Sequence, residues 1–499
     1  MPDVTTHVEV RRGTYHDSVT LLGVSQEVQR VDGVDGALVA MATELNIDVL
    51  RDLGFDTGAV GDATPNDLLV AVRATADALP AALERMDAAL HSRPAPGSDG
   101  WGAPPPRTTR AAARDSDATV ALISVPGAHA FVEAMDALRA GLHVMVFSDN
   151  VPVEQEIALK AEGRRRGLLV MGPDCGTAII GGVGLGFANV VRPGPVGVVA
   201  ASGTGAQQVC CLLDDAGVGV SHVIGVGGRD LSAEVGGAST LQALDALDDD
   251  DATELILIVS KPPDATVLDR VVERAAGCST TVVMGVVGLR SPDLTTVTRD
   301  AIGRVGRAPW EPRHWDPPQR PAGGAATLHG LFSGGTLCEE AMAIAAGTLG
   351  PIASNVPLRP EWHVDPLAAH DGHAMIDFGD DALTRGRPHP MIDHSLRLAR
   401  LEQESRRPGD HVILLDVVLG HGADADPAAT LAPAIRSARE RADVRGDRVV
   451  VVVSVCGPRD DPQGLERQAR RLADAGAVVH LSNARAAREA VGLVDGGVA

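Results

Sequence analysis

The feature that most constrains the fold of this chain is a series of short, valine-rich apolar runs separated by segments of helical period. The runs occupy residues 120–125, 143–148, 168–172, 196–202, 254–260, 280–288, 412–420 and 449–457. Continuous apolar strands of this length are typical of parallel sheet that helices cover on both faces. The segments between them place apolar residues three and four apart, as in 131–141, 431–442 and 465–476. The sequence therefore predicts an α/β fold built from parallel sheets.

Composition limits the possible partners and the compartment. The net charge of −22 argues against nucleic acid or an anionic membrane as a partner, and the aromatic content of 2% leaves few platforms for stacking bases. No apolar run is long enough for a transmembrane helix, and the first residues lack the pattern of a signal peptide. The six cysteines form no CxxC pair, so neither a zinc site nor a disulfide framework is expected. We expect a cytoplasmic protein.

Two glycine-rich turns follow predicted strands and open predicted helices. The first is Ser202, Gly203, Thr204 and Gly205, and the second is Ser333, Gly334, Gly335 and Thr336. The free N–H groups and the positive dipole end of a helix N-terminus suit an anion. Both turns are therefore predicted to hold phosphate or another small anion. The alternative for the first turn is a tight strand-to-helix connection with Thr204 as a plain N-cap.

The chain carries only two lysines, Lys160 and Lys261, among 44 basic residues. A lysine in such an arginine-rich chain is a candidate for a chemical role, although chance survival is equally compatible. Lys261 ends a predicted strand, and the carboxyl ends of parallel strands are where open α/β sheets bind ligands. Arg229 has the same placement. Either side chain would neutralise phosphate or carboxylate; the alternative is a surface ion pair.

Four further residues are candidates for catalysis. Asp174 and Cys175 lie on a glycine-flanked turn, where a lowered pKa would make the thiol a nucleophile; the alternative is a buried structural cysteine. His389 is a candidate general acid–base, or alternatively caps the helix that follows. Arg387 is a candidate carboxylate clamp. His421 is a weaker candidate, and Asp424 and Asp426 lack spacing specific enough to predict a metal site.

Two helix N-termini directed at one phosphate resemble the arrangement in succinyl-CoA synthetases, in which one helix comes from each subunit. Residues 118–300 are similar to the α subunit, and residues 328–497 to the carboxylate-binding end of the β subunit. The whole chain resembles the FdrA family of fused synthetase-like proteins. The matching segments are 63–68, 147–157, 167–180, 201–207, 225–237, 259–263, 332–341, 376–393 and 414–428.

The resemblance implies Rossmann-like and flavodoxin-like parallel-sheet domains of the succinyl-CoA synthetase type. We expect an N-terminal α/β region that ends in a Pro/Gly-rich linker, a CoA-binding-like Rossmann subdomain, an α-type ligase domain, a second linker and a β-type C-terminal ligase domain. These span, in order, residues 1–115, 116–192, 193–300, 301–326 and 327–499. Pro- and Gly-dense stretches at 91–110 and 307–326 mark the two linkers.

Three parts of an ATP-driven ligase are missing. The stretch 280–297 has no histidine where the synthetases carry a phosphohistidine, and nothing before residue 118 is long enough for their nucleotide-binding fold. The N-terminal part also lacks the glycine-rich loop that holds the CoA diphosphate in the synthetases. The FdrA resemblance instead implies a subunit of an oxamate carbamoyltransferase in ureide breakdown. Its substrates would be phosphate or carbamoyl phosphate and a small carboxylate. Other subunits of a transferase complex and a homo-oligomer are expected.

Two alternatives remain open. One is an acyl-CoA ligase that takes its nucleotide half from a partner, with CoA as a possible ligand. The other is a non-catalytic protein that senses an acyl phosphate or CoA.

Overall fold

The computed structural model describes residues 4–14, 16, 18–91, 106–384 and 388–495. The chain divides into two compact units. One comprises residues 1–105 with 381–388, and the other comprises residues 106–380 with 389–499. No helix in the described part of the chain is long and apolar enough to cross a membrane.

The first unit is built on a three-stranded antiparallel sheet of order β1-β3-β2. Its elements are β1 (Val4–Arg11), α1 (Ser18–Gln29), β2 (Val34–Met41), α2 (Glu44–Asp52), β3 (Leu68–Thr75) and α3 (Leu79–His91). The central strand β3 begins with five consecutive buried residues, because α1 and α3 pack on one face of the sheet and α2 packs on the other. The first predicted linker falls mostly in residues 92–105, outside the described residues.

The second unit begins with a small parallel sheet of order β4-β5-β6. A six-stranded sheet of order β12-β11-β9-β10-β7-β8 follows. Strands β12, β11, β9 and β10 are parallel to one another, β7 pairs antiparallel with β10, and β8 pairs antiparallel with β7. The elements up to β8 are α4 (Thr109–Arg114), β4 (Val120–Ile123), α5 (Gly127–Arg139), β5 (His143–Val146), α6 (Val153–Arg166), β6 (Val170–Met171), β7 (Thr177–Ile180) and β8 (Val183–Gly186). Those that follow are β9 (Pro193–Ala200), α7 (Gly203–Asp215), β10 (Val220–Gly225), α8 (Ala238–Asp248), β11 (Leu255–Ser260), α9 (Ala265–Ala276), β12 (Thr281–Val286) and α10 (Leu294–Arg304).

The C-terminal part forms a second six-stranded sheet, of order β13-β18-β17-β16-β14-β15, parallel except at β13. Its strands are β13 (His314–Trp315), β14 (Thr327–Phe332), β15 (Ala374–Asp377), β16 (His411–Val418), β17 (Val449–Cys456) and β18 (Val478–His480). The helices are α11 (Gly335–Leu349), α12 (Asp381–Thr384), α13 (Ser395–Ser405), α14 (Pro427–Arg445), α15 (Leu465–Asp474) and α16 (Asn483–Asp495); α12 is grouped with the first unit.

The central strands β16 and β17 explain why the valine-rich runs form parallel sheet. All eight residues of each strand are buried, because helices cover both faces of the sheet. The predicted linker at 307–326 is not wholly irregular, because it contains β13, which pairs with β18 of the C-terminal sheet. The Trp315 indole explains this difference: the residue is 9% exposed, and its Nε1–H donates to Glu466.

Hydrogen bonds between the two six-stranded parts of the second unit fix them against each other. Asn189 donates to the Leu419 carbonyl and to the carboxylate of Asp461, at 2.9 and 2.7 Å. The Glu340 carboxylate of α11 accepts from the Leu294 amide of the other part at 2.6 Å, and within its own part it accepts from Asn483 at 2.7 Å. These bonds are buried, so they hold the N-termini of α7 and α11 in a defined relation.

Acid sensitivity is expected from His329 in β14. The residue is 1% exposed, neither ring nitrogen has a hydrogen-bond partner, and Nδ1 lies 3.5 Å from the Glu404 carboxylate. Burial, helped by nearby positive groups, lowers the pKa of His329 to about 3. The unfolded chain therefore binds this proton at higher pH than the folded chain, and stability is lost as the pH falls below about 6.5.

His329→Phe is therefore expected to reduce the loss of unfolding free energy between about pH 6.5 and pH 4.5 by on the order of 2 kcal/mol. Denaturant unfolding at several pH values measures this, with the exposed His363→Phe as the control. Equal acid sensitivity of wild type and His329→Phe would show that this histidine does not contribute.

Candidate active site

The first glycine turn connects β9 to α7. Ser202 is the N-cap, and its hydroxyl accepts from the Gly205 amide at 3.0 Å. The cap is thus Ser202 and not Thr204, which differs from the alternative considered for this turn. The amides of Gly203 and Thr204 donate to no group in the described part of the chain. These two N–H groups are available to an anion.

The second turn connects β14 to α11 and differs from the prediction. Asp416, a fully buried residue of β16, accepts from the Ser333 amide at 2.7 Å, the Ser333 hydroxyl at 2.9 Å and the Gly334 amide at 2.9 Å. Ser333 and Gly334 therefore cannot hold phosphate as predicted, because a carboxylate of the chain already takes their donors. The amides of Gly335 and Thr336, in the first turn of α11, have no such partner among the described residues.

Asp416 is balanced by Arg397 of α13. The Arg397 side chain is 1% exposed, and its Nη2 lies 3.1 Å from the Asp416 carboxylate and also donates to the Asp416 carbonyl. Burial lowers the pKa of Arg397, and the charge of Asp416 opposes that shift. A buried ion pair therefore supports the second turn from inside the sheet.

The two turns are in direct contact. The Ser202 hydroxyl donates to the Thr336 hydroxyl at 2.7 Å. A Cβ at Gly334 would lie 2.7 Å from both Oγ1 and Cγ2 of Thr204, so only glycine permits this approach. The N-cap of each helix thus meets the second helical residue of the other. We call the residues 202–205 and 333–336 the paired turns.

Two charged side chains converge on Gly335, the first residue of α11. A Cβ at Gly335 would lie 2.6 Å from Asp377 Oδ2 and 3.3 Å from Lys261 Nζ. Lys261 follows β11, is 45% exposed, and lies 3.8 Å from the Glu339 carboxylate. Burial raises the pKa of Glu339, whereas the Lys261 charge opposes that shift. Lys261 therefore lies beside the paired turns, as a phosphate- or carboxylate-neutralising residue should.

His389 lies near this cluster but does not suit proton transfer at neutral pH. Its Nδ1 accepts from the Met391 amide at 3.2 Å, and its ring packs 5.6 Å from Phe187. Burial, helped by the Arg397 charge, lowers the pKa of His389 to about 4. The neutral ring thus carries its proton on Nε2 and offers a hydrogen bond. The N-cap of α13 is His394, so His389 does not cap that helix either.

The remaining predicted residues lie elsewhere in the described part of the chain or outside it. Arg229 donates to the Val151 carbonyl at 2.7 Å and pairs with Glu156 at 3.0 Å. It thereby joins the buried cluster in which Lys160 contacts Glu156 and Asp230, each at 2.7 Å. These bonds give Arg229 and Lys160 structural partners. Arg387 lies in residues 385–387, outside the described residues.

The lowered pKa predicted for Cys175 is wrong. The thiol is buried and lies 3.6 and 3.4 Å from the carbonyls of Thr177 and Gly225, and burial raises its pKa to about 12. Asp174 has a φ of 55° and its Oδ2 lies 3.4 Å from a Cβ position at Gly228. For Cys175, no hydrogen bond or ion pair to the paired turns is found in the described part of the chain.

The other acidic candidates do not assemble a metal site. His421 is exposed, Asp424 lies 3.4 Å from His394, and the Asp426 carboxylate contacts Arg467 and Arg471 at 3.1 and 3.2 Å. Among residues 4–91, 106–384 and 388–495, apart from the short gaps stated above, no group of three or more potential ligands could hold a metal ion.

Sequence reasoning missed the roles of Asp377, Asp416 and Arg397. The only local signal for Asp416 is a single carboxylate inside an otherwise apolar strand, residues 411–418. Its partners lie 82 and 83 residues away in the chain, so no spacing pattern connects them.

Two family models match the chain. One, described as "AllF, heavy metal-associated domain", covers residues 4–104, and the other, described as "CoA-ligase", covers residues 331–493. The second includes most of the C-terminal sheet and the whole of the second turn. Together with the parallel sheets, it confirms the predicted α/β, ligase-type fold.

Individual relatives agree with these matches. The uncharacterized protein YahF of Escherichia coli (strain K12) is 36% identical over 96% of this chain and 97% of its own length. The succinate–CoA ligase [ADP-forming] subunit alpha 2 of Archaeoglobus fulgidus is 30% identical over 33% of this chain, a match that takes in 58% of that subunit.

Among solved structures, the dinucleotide-forming acetyl-coenzyme A synthetase 1 of Ca. Korarchaeum cryptofilum is 16% identical and matches 81% of this chain and 89% of that one. Its TM-score of 0.28 adds no weight to the assignment. The near full-length match to YahF decides which family the chain belongs to. The chain belongs to the same family as Escherichia coli YahF, with an N-terminal domain of the AllF heavy metal-associated type and a C-terminal CoA-ligase domain.

Proposed function

We propose that this protein performs the acyl-transfer half of an acid–thiol ligase reaction, moving an acyl group between phosphate and the thiol of CoA at the paired turns. The observation that carries the proposal is the direct contact between the first turns of α7 and α11, with Lys261 Nζ 3.3 Å from the Cβ position at Gly335. The CoA-ligase match at 331–493 supports the acid–thiol class. The carbamoyl transfer expected from the FdrA resemblance gains no support from the relatives above.

The available donors suit the phosphate group of an acyl phosphate. The amides of Gly203 and Thr204 lie at one helix N-terminus, those of Gly335 and Thr336 lie at the other, and Lys261 adds a full positive charge. Donors held rigidly at helix N-termini stabilise charge that develops on oxygen without reorganising during the reaction. The site therefore favours cleavage of the bond between acyl carbon and phosphate oxygen.

The nucleotide step would lie outside this chain. The loop after β12, residues 287–293, has no histidine to carry a phosphoryl group. We propose that an acyl phosphate arrives ready-made or is made by a partner subunit. We also propose that the chain forms a homo-oligomer and works with other subunits.

Thioester formation from acetyl phosphate and CoA tests the proposal. Wild-type protein is expected to form acetyl-CoA and release phosphate, and Lys261→Ala is expected to lower the rate about tenfold to a hundredfold, because a charged hydrogen-bond donor is lost. Arg470→Ala, at a 69% exposed side chain on α15, is the matched control and should leave the rate unchanged.

Two results would contradict the proposal. One is the absence of thioester with every acyl phosphate supplied. The other is phosphate release from carbamoyl phosphate that requires oxamate and not CoA, which would instead support the carbamoyl transfer implied by the FdrA resemblance.

A further inference from the structure

We propose that Asp377 is the proton-transfer residue of the paired turns, taking the proton of the incoming thiol in the acyl transfer proposed above, on which this inference rests. Neither glycine turn contains this residue. It is placed by β15, the strand next to β14 in the C-terminal sheet.

The backbone positions Asp377 beside the second turn. The parallel pairing of β14 and β15 sets Phe332 opposite Asp377, so both strands end at the same edge of the sheet. The Asn355 side chain fixes the strand end: its Nδ2 donates to the Asp377 carbonyl at 2.9 Å, and its Oδ1 accepts from the Asp377 amide at 3.0 Å. Asp377 is thus held in place independently of any ligand.

The two carboxylate oxygens of Asp377 have different surroundings. Oδ1 accepts from the Gly379 amide at 2.9 Å. Oδ2 is directed at Gly335, 2.6 Å from the Cβ position there, and makes no hydrogen bond or ion pair with any described residue. The residue is 5% exposed. This oxygen faces the same Gly335 position as Lys261 Nζ at the N-terminus of α11, so it is placed to exchange a proton with a group bound there.

The charge environment of Asp377 allows its protonation to change near neutral pH. Burial raises the pKa of Asp377 to about 7; the Lys261 charge and the Gly379 amide oppose the shift, and Asp416 and Asp380 add to it. Other titratable or charged groups in the neighbourhood are Glu339 of α11, Arg397 of α13 and His389. The pKa of His389 is about 4 and that of Cys175 is about 12, so both groups are poorly matched to proton transfer at pH 7. The pKa of Asp377 is well matched to it.

The proposed step conserves atoms and charge. The Asp377 carboxylate takes the thiol proton while the sulfur attacks the acyl carbon. The carbon–sulfur bond forms, the bond from acyl carbon to phosphate oxygen breaks, and phosphate leaves. Asp377 then passes its proton to the departing phosphate, which returns the carboxylate to its starting state. No oxidant, nucleotide or metal is needed.

The test is the pH profile of thioester formation from acetyl phosphate and CoA. Wild type is expected to show a transition near pH 7, with the rate rising as Asp377 ionises. Asp377→Asn is expected to lose about a hundredfold or more in rate at pH 7 and to lack that transition. Asp377→Glu should restore part of both. Asp371→Asn, at an exposed carboxylate, is the control expected to behave as wild type.

A second readout does not depend on turnover. Sulfate does not titrate in this range, so its affinity measured by calorimetry reports on the site alone. In wild type it should weaken as pH rises through 7, because ionised Asp377 repels an anion; in Asp377→Asn it should be independent of pH. This measurement also shows that the variant is folded.

The outcomes separate the two proposals. If wild type forms no thioester, the acyl-transfer proposal fails and the role of Asp377 fails with it. If wild type forms thioester but Asp377→Asn keeps its rate and its pH profile within threefold, only the assignment of Asp377 is overturned.

Discussion

Asp416→Ala is expected to lower the free energy of unfolding by about 3–5 kcal/mol, because it leaves the Arg397 guanidinium buried without its counter-charge. Both side chains are 1% exposed or less, and they lie 3.1 Å apart. The substitution also removes the acceptor for the Ser333 and Gly334 amides, so those buried donors lose their partner. The second turn should lose its shape with the ion pair.

A double variant distinguishes the ion pair from simple loss of volume. Asp416→Ala with Arg397→Leu removes both charges and is expected to recover part of the lost stability, because no buried charge stays unpaired. Denaturant unfolding of the wild type, both single variants and the double variant provides the measurement. Strict additivity of the two single effects would show that Asp416 and Arg397 are not coupled.

Gly334→Ala is expected to separate the paired turns. The new Cβ would lie 2.7 to 2.8 Å from three side-chain atoms of Thr204, so α7 and α11 must move apart. Overpacking of this kind costs about 1–3 kcal/mol. Because the anion donors come from both helices, we also expect phosphate binding to fall by more than tenfold and thioester formation to be abolished.

Gly347→Ala in the same helix is the matched control. Gly347 is exposed in the last turn of α11, and a Cβ there meets nothing within 4 Å. Alanine should stabilise the helix by about 0.5–1 kcal/mol and leave the site unchanged. If Gly334→Ala proves as mild as Gly347→Ala in both unfolding and binding, the contact between the turns does not matter.

The fold was predictable because its signal is local. Valine-rich runs such as those of β16 and β17 are buried on both faces, as is typical of strands in a parallel sheet that helices cover on both sides. The short strand β13 was not predictable, since its two residues are held by pairing with β18 and by burial of Trp315 rather than by any periodic pattern. The antiparallel sheet of the first unit likewise depends on pairing between distant segments.

The site was predictable only in part. The glycine turns and Lys261 were evident because helix starts and strand ends have local signatures. Contact between the turns was not, since Ser202 and Thr336 are 134 residues apart. The contact of Asp416 with the second turn depends on strand order, which the sequence does not reveal. The roles of His389 and Cys175 were misjudged because both are buried, and burial shifts their pKa values away from neutrality.

The most direct test of the paired turns as an anion site is calorimetric titration of inorganic phosphate into the wild type, Lys261→Ala and the Arg470→Ala control. We predict saturable binding of one phosphate per chain, at least tenfold weaker in Lys261→Ala and unchanged in Arg470→Ala. No saturable binding to the wild type, or equal affinity of wild type and Lys261→Ala, would contradict the assignment of the paired turns as the site where phosphate binds.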